Sequence, residues 1–248
     1  VTLRDGTTTK ALVPQVYERV REGDLRGDGA LISANAVNFN LSGELRNSGT
    51  IAGRQVVAIN ADTVRNLGRI SAENVGVQTQ GDIESSGTLE ATQSLVVNAG
   101  RDLNLTSNTR TQGSTTSVDR VAGLYVSGSQ ATLLASAVRD MNLTGAVIRN
   151  DSNGNPVLVA ARDLNLATVQ VATSGRSGDA RNWSAVSERL EVGTQIQTQG
   201  DLLLHAGGDL IARAANLTTE LGALTLSAGR DVRLTAGEQQ LITESFST

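Results

Sequence analysis

The sequence has no cysteine, one histidine and two prolines, and aromatic residues make up 2% of its 248 positions. Each shortage removes a class of explanation. Without cysteine there are no disulfide staples and no thiolate metal site. With His205 as the sole histidine, a zinc site or a Ser-His-Asp triad has almost nothing to build from, so we expect no catalytic residue, metal or cofactor. A globule of this length fills irregular space with Phe, Tyr and Trp, which are too scarce here. No apolar run reaches the ~18 residues of a membrane-spanning helix. Lys10 is the only lysine, and a net charge of -4 argues against a nucleic-acid partner. The chain opens on Val1, without a signal peptide, and reads as a piece of something longer.

What is present is a repeat. Gly49-Thr50-Ile51, Gly68-Arg69-Ile70 and Gly87-Thr88-Leu89 recur 19 positions apart, with Gly29-Ala30-Leu31 20 before the first. A second phrase returns as Gly100-Arg101-Asp102-Leu103-Asn104-Leu105, Val138-Arg139-Asp140-Met141-Asn142-Leu143, Ala161-Arg162-Asp163-Leu164-Asn165-Leu166 and Gly229-Arg230-Asp231-Val232-Arg233-Leu234. Such a period means stacked supersecondary units sharing one continuous core. Runs such as Val56-Val57-Ala58-Ile59 carry strand rather than helical patterning. Asn-Ser-Gly, Asn-Leu-Gly and Ser-Ser-Gly at 47–49, 66–68 and 85–87 mark corners, which we expect to use positive φ. The fold class is therefore all-β: a right-handed parallel β-helix of ~20-residue coils, about 12 coils and roughly 55 Å long.

Residues 1–24 differ from the rest and read as a lead-in or cap; 25–248 read as a single β-helix. Segments 108–136, 149–157 and 168–192 break the period. Thr109–Asp119 and Ser174–Trp183 predict projecting loops or hairpins, and Asp151-Ser152-Asn153-Gly154-Asn155 predicts a turn. Asp102, Asp140, Asp163 and Asp201 are spaced 38, 23 and 38 apart, which suggests a double coil of 61 residues. From Gln239 the pattern is lost, as in a separate strand or a cut end.

Candidate sites have plain alternatives. The recurring Arg-Asp is read as structural, with Asp accepting backbone N–H bonds at a tight turn and Arg in water. Gly207-Gly208-Asp209 matches only a fragment of a calcium-binding nonapeptide. Arg26-Gly27-Asp28 spells an adhesive tripeptide inside a glycine-rich turn, where those letters are common anyway. The sequons at Asn104, Asn142 and Asn216 fall inside strand repeats and follow from alternation. Tyr125 and Trp183, placed in the excursions, are possible contact residues or residues that fold a loop onto the coil. A polysaccharide-cleaving enzyme needs clustered carboxylates and aromatic platforms, whereas the acids here are spread one per coil.

The phrases Asn47-Ser48-Gly49-Thr50-Ile51-Ala52-Gly53 and Ala99-Gly100-Arg101-Asp102-Leu103-Asn104-Leu105 resemble the repeats of filamentous haemagglutinin-type exoproteins. Pro14-Gln15-Val16-Tyr17, followed by Gly23-Asp24-Leu25 and Gly27-Asp28-Gly29-Ala30-Leu31, resembles the start of the second haemagglutinin-repeat region in effectors of contact-dependent growth inhibition. The likeness runs over most of residues 14–248. It implies a non-catalytic segment of a two-partner secreted protein at the cell surface of a Gram-negative bacterium. That segment would aid delivery of a C-terminal toxin across the target cell's outer membrane. The implied partners are an outer-membrane transporter, through the parent chain, and the target's outer membrane or a surface protein. No nucleic acid or small-molecule substrate is implied. The alternative is the shaft or binding region of an adhesin.

Overall fold

A computed structural model describes residues 30–179 and 181–247. The lead-in at 1–24 and the Arg26-Gly27-Asp28 tripeptide lie outside the described residues. The described chain is all β, and its coils stack as a right-handed parallel β-helix.

Each coil contributes strands to three faces. In the first four coils a single bent strand supplies two of them: Leu31–Asn40, Thr50–Ala61, Arg69–Thr79 and Thr88–Ala99. The bends are register breaks, for example between Ala52 and Val56. From the fifth coil the bend opens into a corner. Thr88–Ala99 pairs at its start with Gly123–Val126 and at its end with Thr132–Ala137. Among the described residues the third face stacks eight short strands, from Glu44–Asn47 to Val232–Thr235.

The described residues hold eight coils, a stack about 34 Å long by strand spacing, against about 12 expected of the whole chain. Residues 1–29 lie outside the described chain, and part of the difference went into excursions. The first is the hairpin Asn108–Gln112 with Thr115–Arg120, and the second is Val169–Gly178 with Asn182–Val192. The expected break at 108–136 is therefore too long, because Gly123–Val126 and Thr132–Ala137 are ordinary coil strands. The 61-residue double coil is also overturned. Register pairs Leu164 with Leu210, so the coil partner of Asp163 is Asp209, 46 residues on, and not Asp201. The second excursion is simply longer than the first.

The core is three aliphatic columns, one per face. On the first, register stacks Ile32, Ile51, Ile70, Leu89, Leu124, Ile148, Ile196 and Leu217. On the third it stacks Leu45, Val64, Ile83, Leu103, Met141, Leu164, Leu210 and Val232. Alternation turns these residues inward, and like packs on like because every coil repeats the same cross-section. Each fully buried Leu or Ile contributes roughly 1.5–3 kcal/mol of transfer free energy.

The corner from the third face to the first works differently from the expectation. Gly49, Gly68 and Gly87 do not have positive φ. They are required by close stacking: a Cβ on Gly68 would run into the backbone oxygen of Gly49, and one on Gly87 into that of Gly68. Beside them runs a buried polar ladder. Asn47 Nδ2 donates to Asn66 Oδ1 at 2.8 Å, and Asn66 Nδ2 donates to Ser85 Oγ at 3.1 Å. Asn47 Oδ1 and Asn66 Oδ1 also accept the N–H of Gly49 and Gly68. The side chains thus satisfy backbone groups that the tight corner leaves unpaired.

Candidate functional site

The excursions are not separate projections. Strands Gln239–Ser247, Asn182–Val192, Val169–Gly178, Thr115–Arg120 and Asn108–Gln112 form, in that order, one five-stranded antiparallel sheet beside the rod. All three segments leave from the corner between third and first faces, after the fourth, sixth and eighth coils. Buried hydroxyls close the roots of the two hairpins. Ser107 Oγ donates to the Gly145 carbonyl and accepts the N–H of Ala122, while Thr194 Oγ1 donates to the Leu143 carbonyl. Arg213 ties the sheet to the rod through Glu191 at 2.9 Å and Glu238 at 3.0 Å. Hydrogen bonding from Arg213, then from the Glu238 N–H, holds the Glu191 carboxyl below its usual range.

Trp183 lies in this side sheet and folds into it. Its ring lies 6.5 Å from Phe246, stacked at 21°, with the Arg176 guanidinium 4.2 Å from the ring centre. Trp183 and Phe246 are register partners across the Asn182–Val192 and Gln239–Ser247 strands. Ala185, Ile242 and Glu244 extend the same face, which bears a shallow groove of about 700 Å³. Phe246 and Ile242 remain 47% and 43% exposed, so the sheet presents apolar surface to solvent. Arg176 and Phe246 were not singled out by sequence reasoning. They reach Trp183 only through antiparallel pairing, and Phe246 comes from a segment 63 residues away.

Tyr125 stands elsewhere. It belongs to the coil strand Gly123–Val126 and not to an excursion, between Glu90 and Arg149 of the neighbouring coils. The edge of its ring lies back over Gly123, where a Cβ would collide with it. Burial, and after it the charge of Glu90, pushes the Tyr125 hydroxyl above its ordinary value. The structure thus does not bring Tyr125 and Trp183 into one site: one is on the first face and the other in the side sheet.

The recurring Arg-Asp builds a ladder along the corner from the second face to the third. Arg101 pairs with Asp82 at 2.8 Å, Arg139 with Asp102, and Arg162 with Asp140. The backbone N–H of each following aspartate donates to the same carboxylate, as Asp102 does to Asp82 and Asp140 to Asp102. The structural reading therefore holds with two changes. The N–H comes from the next coil, and the arginine is paired instead of free in water. Gly208 occupies the arginine position of its coil, and Arg230 from the coil beyond reaches both Asp163 and Asp209. Those three groups occupy the Gly207-Gly208-Asp209 corner.

Asn104, Asn142 and Asn165 form an outward amide ladder, with bonds of 2.8 and 2.9 Å. His205 faces outward on the second face, 3.2 Å from Ser227 Oγ. Among the described residues, no three His, Cys, Asp or Glu side chains converge as metal ligands, and no helix is long and apolar enough to cross a membrane. No family of known proteins, no characterised relative and no solved structure matches this chain.

Proposed function

We propose that this chain is a non-catalytic β-helical segment of a secreted, cell-surface exoprotein of a Gram-negative bacterium, working in contact-dependent growth inhibition. Its task there is to help a C-terminal toxin cross the target cell's outer membrane. One observation carries the reading: the phrases that resemble haemagglutinin repeats occupy equivalent corners in successive coils. Asn47 and Asn66 stack in register, as do Leu103 and Met141 after their Arg-Asp pairs. Nearest-neighbour stacking also suits export, because each coil gains its core as soon as the next one lies on it. The corner aspartates are engaged with arginines, which favours a structural over a catalytic use of them.

The test is a co-culture competition with a parent protein lacking residues 25–236, after surface display and target binding have been checked. Lost killing with binding intact supports delivery. Unchanged killing overturns it.

The side sheet favours one second reading, the binding region of an adhesin. Trp183, Phe246 and Ile242 form an aromatic and aliphatic strip on one of its faces. Removing residues 170–191 joins Val169 to Val192, which already sit opposite each other. If that deletion abolishes cell binding by the purified rod, the adhesin reading displaces the first.

A further inference from the structure

The first face carries a groove of about 560 Å³, within the ~300–1,000 Å³ of small-ligand sites. It exists because the rod changes section halfway along. Up to the fourth coil the first and second faces are one bent strand; from the fifth, a corner is inserted between them. Ser127 and Asp151 begin those corners and make a wall beside the bent strands of Ala72 and Ala91. Tyr125 lies at the step. Its neighbours in register at the Gly123 position are Thr88 and Val147, so Gly123 alone leaves the notch that receives the ring.

The charge on the groove is balanced. Arg69 donates to Glu90 at 2.6 Å, Thr88 Oγ1 donates to Glu90 at 3.0 Å, and Arg149 donates to Asp151 at 2.7 Å. Two guanidinium groups face two carboxylates, so there is no net field to collect a phosphate, a sulfate or a cation. What remains is an aromatic ring between two hydrogen-bonded charge pairs, with small side chains on the floor. The lining runs across four coils, from Arg69 to Arg149, on the order of 14 Å by strand spacing. That length suits a short chain more than a single ring.

We propose that this groove binds a neutral oligosaccharide lying along the rod axis. Tyr125 is the platform for the C–H face of one sugar, and the Arg69–Glu90 and Arg149–Asp151 pairs are partners for hydroxyls of its neighbours. This ligand class answers each feature: its apolar faces need a ring, its hydroxyls need both donors and acceptors, and it brings no charge. The binding does not depend on the delivery role, since the site is complete within coils three to six.

The experiment titrates the rod with maltohexaose, cellohexaose and chitohexaose, and with an oligogalacturonate as the acidic comparison, by calorimetry and ligand-observed NMR. At least one neutral hexaose is expected to saturate. Tyr125→Ala is expected to weaken it about tenfold, and Tyr125→Phe to leave it within about threefold, because the ring supplies most of the contact. Unfolding midpoints show whether each variant keeps the rod; if Tyr125→Ala does not fold, Arg149→Ala takes its place and must weaken binding severalfold. Absence of saturable binding by all three neutral probes, binding of the acidic probe alone, or unchanged affinity in the folded Ala variant overturns the proposal.

Discussion

Arg162 holds the carboxylate of Asp140, 22 residues earlier and one coil away, and the N–H of Asp163 donates to that same carboxylate at 3.3 Å. One side chain therefore locks both the side chain and the backbone of the next coil. The arrangement repeats from Asp82 to Asp231, so the corner sets the register of each coil on the last.

The ladder makes the rod acid-sensitive. Hydrogen bonding from Arg162 is the main cause that holds the Asp140 carboxyl below its ordinary value of 3.8, and Asp102 is held down in the same way by Arg139. A carboxyl lowered in the folded state stabilises it fully above the unfolded value and loses that contribution as pH falls through the folded value. The unfolding midpoint is thus expected to be flat from neutral pH to about 5 and to fall below about 4. Asp140→Asn should flatten the acid limb, measured by circular dichroism melts across pH. An unchanged limb in that variant would remove the ladder from the account.

Two glycines should respond in opposite directions. Gly68→Ala puts a methyl into the Gly49 carbonyl and is expected to cost about 1–3 kcal/mol. Gly76 has open space around its Cβ position and sits in a strand, so Gly76→Ala should be neutral or stabilise by up to about 1 kcal/mol. Denaturant midpoints of the two variants, compared side by side, check the sign.

Ala214 has φ of 49°, a left-handed conformation that its methyl group disfavours. Gly145, at the equivalent corner two coils earlier, has φ of 55°. Ala214→Gly is expected to stabilise the rod by about 1 kcal/mol. A lowered unfolding midpoint would count against this.

Asn66 shares its column with Leu105, through Ser85, yet the two are not interchangeable. The Asn66 amide serves Asn47, Ser85, Gly68 and the Thr88 carbonyl, all inside the corner. Asn66→Leu leaves those groups unpaired and is expected to cost on the order of 2 kcal/mol or more, read from denaturant unfolding. Leucine is tolerated at 105 because the chain there leaves the tight corner for the first hairpin.

The coil is legible in the order of residues alone. Runs such as Val56-Val57-Ala58-Ile59 mark the strands, and the recurring Asn-x-Gly and Arg-Asp mark the corners, because a stacked coil sees the same neighbours at every level. The same order also located both hairpins, since Ser, Thr and Gly interrupt the inward aliphatic positions there. What those interruptions do depends on contacts between segments far apart in the chain. Antiparallel pairing brings Trp183 to Phe246 and assembles three distant segments into one sheet, and no period links segments whose lengths differ. The same holds for Asp163, whose partner lies 46 residues on because an excursion of arbitrary length intervenes. Glycine at the corners was legible, but its cause was not: a letter does not distinguish a positive φ from a carbonyl stacked where a Cβ would be.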